Sequence, residues 1–189
     1  AGSTVTSGGT LDLSAQTDAD IFSLTMGVAG SGAGAGLLSL SANVVTNTTE
    51  ASINDSVYGA DGKIVEGAVP STVNAGGEVT LSAKDTSTID ALAFGVTAAG
   101  GGAMGVSLGA NVIANTITTS IEGSTLTTDG SLSLSSESSS IIRALAVGVS
   151  GSGGFAVQVS ALGNVIVNNV TATIGGSTIT AAGDVTLYA

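Results

Sequence analysis

At 189 residues the chain could form one ordinary domain, but 29 glycines, 9% charged residues and 3% aromatics depart from a standard globular composition. Its 43% apolar content, dense in Val, Ile, Leu and Thr, opposes disorder and favours pleated strands. The formal charge of −11, with only Lys63, Lys84 and Arg143 as cations, leaves no basic surface to release counterions from nucleic acid, and the absence of Cys and His removes disulfide scaffolds, thiol nucleophiles and the usual zinc and iron ligand sets.

The first recognisable element is the phrase STVTSGGTLDLSA, beginning at Ser3, and it returns three times. STVNAGGEVTLSA begins at Ser71, STLTTDGSLSLSS at Ser124 and STITAAGDVTLYA at Ser177, so the last two steps are 53 residues each and the first is 68. GVAGSG at Gly27, GVTAAG at Gly95 and GVSGSG at Gly148 keep this phase, as do NVVTN at Asn43, NVIAN at Asn111 and NVIVN at Asn164. Ile53, Ile121 and Ile174 close each copy in step, so the 15 additional residues form one block at 56–70. Repeat 1 therefore spans 3–70 with its insertion, repeat 2 spans 71–123, repeat 3 spans 124–176, and 177–189 opens a fourth. Tandem copies predict a single quasi-one-dimensional array in which each repeat is stabilised by its neighbours. Both ends fall in mid-pattern, as expected of a section of a longer array.

Within a repeat, Val79 and Leu81 alternate with Glu78, Thr80 and Ser82, which predicts a short strand with one wet face. Gly77, Gly130 and Gly183 precede these strands, where a tight corner of positive φ is expected. A polar corner around Asp85–Thr88 follows, and then a long strand. The stretch Ala91–Ala114 has 24 residues without a charge, enough for a membrane helix, but its six glycines, its β-branched residues and its alternation favour strands. Leu92, Phe94 and Val96 fall on one face, with Ala91, Ala93 and Gly95 on the other. The same large/small split recurs as Leu145, Val147 and Val149 against Ala144, Ala146 and Gly148, and as Leu24, Met26 and Val28 against Ser23, Thr25 and Gly27. A bend is expected near Gly100–Gly102, then a second long strand through the asparagine phrase.

Stacking such repeats predicts an all-β fold, a parallel β-solenoid with one β-hairpin insertion, in which equivalent residues form columns about 4.8 Å apart. Val5, Val73, Leu126 and Ile179 would make one aliphatic column, and Leu13, Leu81, Leu134 and Leu187 another. A contour of roughly 175 Å per repeat suits one wide coil or two narrow ones. Gly/Ala faces such as GSGAGAG at Gly30–Gly36 allow close sheet approach, and strands apolar on both sides require a second layer or lateral association of copies.

Asn43, Asn111 and Asn164 form one expected structural ladder, and Asn47, Asn115 and Asn168 a second, whose amides can bond from rung to rung and penalise slippage. Thr4, Thr72, Thr125 and Thr178, with Thr6, Asn74, Thr127 and Thr180 two residues on, make a flat array that could bind ice, glycan or a host surface. Thr is also simply a good strand residue. The insertion carries Tyr58, Lys63 and the one Pro, and Asp61-Gly62 inside it reads as a hairpin turn, a second possible binding element. Asp18 with Asp20 and Asp55 with Asp61 are the nearest acidic pairs, but neither recurs with the repeat, so no metal site is expected. No catalytic residue and no cofactor site is expected, since no carboxylate pair recurs and no phosphate loop is present.

The consensus S-T-[VIL]-x-x-x-G-x-[VL]-x-L-S-A, followed by A-L-A-x-G-V and N-V-[IV]-x-N, resembles the β-strand repeats of giant bacterial secreted proteins of the leukotoxin-like and filamentous haemagglutinin-like adhesin class. The resemblance covers the chain outside the insertion. It implies export to the cell surface and a non-enzymatic role as stalk, fibre or adhesin, with neighbouring repeats and sister copies as partners. Nucleic acid and membrane are not expected partners, a membrane-embedded array being the least favoured alternative.

Overall fold

The computed structural model describes residues 2–55 and 69–189. The expected hairpin and Tyr58 therefore lie outside the described residues; of the insertion only Val69 and Pro70 are described.

Every described element is a strand, and every pairing is parallel. The chain first lays down β1 (Thr4–Ser7), β2 (Leu11–Ser31), β3 (Gly34–Val45) and β4 (Thr48–Asn54). It repeats the course with β5 (Thr72–Ala75), β6 (Val79–Ala99) and β7 (Gly102–Glu122). A third pass supplies β8 (Thr125–Thr128), β9 (Leu132–Ser152) and β10 (Phe155–Gly175), and β11 (Thr178–Ala181) and β12 (Val185–Tyr188) begin a fourth. Three sheets result: a narrow one ordered β1-β5-β8-β11, and two wide ones, β2-β6-β9-β12 and β3/β4-β7-β10.

The register follows the sequence columns. Val5 pairs with Val73, Val73 with Leu126 and Leu126 with Ile179. Leu13, Leu81, Leu134 and Leu187 line up in the same way. A slip of one residue would turn every buried column outward, so the size match along each column enforces this pairing.

The two wide sheets face each other, and their spacing changes along the strands because their inward residues change in size. Where all three sheets meet, Val73, Val79, Leu81, Ile121, Leu126 and Leu134 pack into one apolar cluster and are almost wholly excluded from solvent. Further along, Val45, Ile89, Ala91 and Ile113 form a second cluster. Beyond these the inward positions shrink to Ala93, Gly95, Ala103, Gly105 and Ser107. A Cβ placed on Gly95 would lie 2.7 Å from Ser107 Oγ and 3.2 Å from Leu37 Cδ2, so the sheets close to near-contact at this end. We call it the distal end, and the end at the narrow sheet the proximal end.

Two local expectations are corrected. The polar corner around Asp85–Thr88 is absent: β6 runs unbroken from Val79 to Ala99. Asp85 and Ser87 share the inward parity of Leu81, Ala83 and Ile89 and are fully buried, so partners on the facing sheet satisfy the polar run and no bend is needed. Gly77, Gly130 and Gly183 do sit at the corners, but without positive φ, which occurs at Gly2, Gly123 and Gly176. Their requirement is steric, since a Cβ on Gly130 would approach Glu78 N to 2.5 Å as one corner stacks on the next. The bend expected near Gly100–Gly102 is present, with β6 ending at Ala99 and β7 starting at Gly102.

Candidate functional site

The first asparagine ladder is built as its spacing suggests. Asn43 Nδ2 donates to Asn111 Oδ1 at 2.8 Å, and Asn111 Nδ2 donates to Asn164 Oδ1 at 2.8 Å, with Asn111 fully buried. Asn111 thus presents its acceptor to one neighbour and its donor to the other, so the three amides share one orientation along the column.

The second ladder is in register but bonds differently. Asn47 Nδ2 donates to Asp85 Oδ2 at 2.9 Å, and Asn115 Nδ2 donates to Asp85 Oδ1 at 2.5 Å and to Ser87 Oγ at 2.9 Å. Asn168 Nδ2 donates to Ser140 Oγ at 2.9 Å. These amides therefore tie the two wide sheets together across the interior. The only rung-to-rung link between Asn47 and Asn115 is from the Asn47 backbone N–H to Asn115 Oδ1, at 3.1 Å. At this position β3 has ended and β4 has not begun, whereas β7 and β10 run through the equivalent position.

Asp85 is the residue that sequence reasoning missed. Its carboxylate is fully buried and accepts from Asn47, Asn115 and Ser87, the last at 2.8 Å. Thr17 and Ser138 hold the same column in the flanking passes. Its parity with Leu81 and Ile89 was the available signal.

The threonine array stands on the outer face of the narrow sheet. Thr4, Thr6, Thr125, Thr127, Thr178 and Thr180 are exposed there, with Thr72 half-buried and Asn74 exposed between them.

Charge is distributed unevenly. Arg143 donates to Asp90 through Nε at 2.6 Å and Nη2 at 2.8 Å, a bidentate pair linking neighbouring strands. That hydrogen bond, with the guanidinium charge, holds the Asp90 carboxyl below its ordinary range and raises Arg143. Lys84 Nζ lies 3.5 Å from Glu137 one strand away. Distal to Asp20, Asp90 and Arg143 no charge occurs: 21–49, 91–121 and 144–183 contain none. There many of the large side chains point out from the wide sheets, among them Phe22 at 72% exposure, Met26 at 69% and Val28 at 77%, whereas Leu37 points inward against Gly27 and Gly95.

Among the described residues no group of three or more acidic side chains is placed to hold a metal ion. Among the described residues, one depression opens onto the apolar interior at the first pass, lined by Val5, Leu11, Leu13, Ile53 and Val73. Among the described residues no helix is long and apolar enough to cross a membrane. Comparison with known proteins finds no family model, no curated protein and no solved structure that matches this chain.

Proposed function

We propose that the three passes are coils of a closed β-solenoid of 53-residue period, and that the chain is a structural segment, the rigid shaft, of a secreted bacterial surface fibre or filamentous adhesin. One observation carries this reading: strand after strand pairs in parallel and in register with its counterpart one repeat away, so that what recurs is packing. Three sheets running along one axis resist bending, because bending must stretch ladders on one side and compress them on another. The strands at each end of the sheet order offer unpaired edges to which further repeats of the same kind can add. The reading is non-enzymatic, and the sequence resemblance to filamentous adhesin repeats supplies the surface location.

The test is dimensional. Concatenating further 53-residue units and measuring rod length by electron microscopy should give an increment of about 4.8 Å per unit, the spacing of one strand in a ladder. An increment near twice that value would mean two coils per repeat and would refute the single wide coil.

The exposed threonine columns favour a second role on the same shaft, a flat surface that binds glycan or ice. Replacing Thr125 and Thr127 with Val should then abolish attachment while leaving the rod intact.

A further inference from the structure

The first asparagine ladder has a direction, and its two ends therefore differ. Asn43 donates to Asn111 and Asn111 donates to Asn164, which leaves Asn43 Oδ1 as an acceptor on the first pass and Asn164 Nδ2 as a donor on the third. Among the described residues neither atom has a hydrogen-bond partner. Rotating either terminal amide to change what it presents would break its bond to Asn111.

The backbone at these two edges is open as well. β2, β3 and β4 are paired on one side only, and so are β10 and the part of β9 beyond Ser135, where β12 ends. The established registers carry straight across a joint between the first pass of one copy and the third pass of another. They set Leu24 beside Leu145, Gly27 beside Gly148, Val45 beside Ile166 and Asn43 beside Asn164. Like therefore meets like in size, and the free donor meets the free acceptor.

Charge favours the same joint. The first pass carries Asp12, Asp18, Asp20 and Glu50 at exposed positions and no Lys or Arg, whereas Arg143 is the cation of the third pass. Joining the unlike edges puts Phe22 beside Arg143 and Asp20 on the diagonal to it, an aromatic ring and a carboxylate around one guanidinium. Two first-pass edges would instead oppose acid to acid, and two third-pass edges would oppose donor to donor.

We propose that copies of this chain dock head to tail, the first-pass edge of one pairing in parallel on the third-pass edge of the next. A second copy is the fitting partner because the arriving edge must repeat the column sizes and offer an acceptor where Asn164 donates. On the receiving copy β11 and β12 already fill the columns that β1 and the start of β2 hold on the first pass. The arriving copy therefore pairs from Gln16 onward. Its own Ser3–Ala15 yields its place on β5 and β6 to Ser177–Ala189 of the receiving copy, which brings Ile179, Val185 and Leu187 to the columns of Val5, Leu11 and Leu13. That exchange is one for one in ladder bonds, while the rest of β2, β3 and β4 gain a partner. A heterologous joint of this kind leaves the same two edges free at the ends, so it repeats into a filament. The proposal deepens the shaft reading and rests on it only for its purpose: rod increment per concatenated unit reports coil number, whereas docking is read from separate chains.

Sedimentation of the 189-residue chain from micromolar to millimolar concentration should show open-ended association. Asn164→Asp keeps the acceptor for Asn111 Nδ2 but loses the donor for Asn43, so it should unfold in urea as the parent does and associate about tenfold or more weakly. Its first-pass edge is intact, so mixing it with the parent should cap and shorten the filaments. Asn43→Asp loses the donor to Asn111 and should be the less stable of the two variants. Thr127→Asp, with the same added charge on the outer face of the narrow sheet, should associate like the parent. In the associated state, hydrogen exchange should slow along β3 and β10 and quicken at Thr4–Ser7. A parent that stays monomeric, equal urea stability of Asn43→Asp and Asn164→Asp, or association that Asn164→Asp does not weaken would each overturn the proposal. So would oligomers whose β3 and β10 amides exchange as in the monomer, which would mean packing through the apolar faces.

Discussion

Asn111→Asp is the sharpest probe of whether the first amide ladder stabilises the stack. The substitution preserves shape and keeps an acceptor for Asn43 Nδ2, but removes the donor that serves Asn164 Oδ1 at 2.8 Å. An ionised carboxylate would then oppose a carbonyl oxygen at a position that is 0% exposed, in a stretch, 91–121, without any cation. The lost hydrogen bond costs about 1 kcal/mol. An uncompensated buried charge costs several more, so a total of roughly 3–5 kcal/mol is expected at neutral pH. The neutral acid can donate where the amide did, so burial and the facing acceptor raise the introduced carboxyl's folded-state pKa above its unfolded value of about 3.9. The folded state then binds the proton more tightly than the unfolded state. The variant's stability relative to the parent is therefore recovered as pH falls through the raised value, and lost again as pH rises through it. Urea unfolding of parent and variant at pH 7 and pH 4 measures this directly. A destabilisation below about 0.5 kcal/mol at pH 7, or one of equal size at both pH values, would refute the account, since surface substitutions fall in that small range.

Leu81→Ala removes a fully buried side chain from the middle of the column Leu13–Leu81–Leu134 and should cost about 2–5 kcal/mol in the same unfolding assay. Gly95→Val inserts a branched side chain where a Cβ alone would lie 2.7 Å from Ser107 Oγ, and should destabilise by about 1–3 kcal/mol, whereas the outward Val96→Ser should change stability by less than about 0.5 kcal/mol. Arg143→Gln removes the bidentate donor to Asp90, so the Asp90 carboxyl, followed by carbon-13 NMR, should titrate at higher pH than in the parent. Because that carboxyl is held low in the folded state, its small contribution is present above the unfolded carboxylate pKa and is lost as pH falls through the lowered one. The variant should therefore show a shallower loss of stability on acidification.

Much of this architecture was legible in sequence because the repeat acts as its own alignment. Recurrence of Val5, Val73, Leu126 and Ile179 at fixed steps dictates the register, since pairing by column is the one arrangement that buries like against like. The exposed threonine columns and the first asparagine ladder follow from the same register. Asp85 was misread because a charged residue within a run of Thr and Ser resembles a turn. Its role depends on Asn47 and Asn115, which are distant in sequence and come opposite it only when the two wide sheets face each other. The corner glycines were located correctly for the wrong reason, because the stacking distance between successive passes leaves no mark in a single repeat.

Sequence by itself determined the period, the parallel pairing partners and the division of each long strand into a large face and a small one. Only the tertiary structure decided which of those faces turns inward. At the proximal end three sheets converge around a volume that Leu, Ile and Val must fill, so the large residues are buried there. Distally the two sheets approach until Gly95 nears Ser107, the remaining space is taken by Leu37 against Gly27 and Gly95, and the other large residues are turned out on both sides. Periodicity is the same in either orientation, and the local space between the sheets is what breaks the tie.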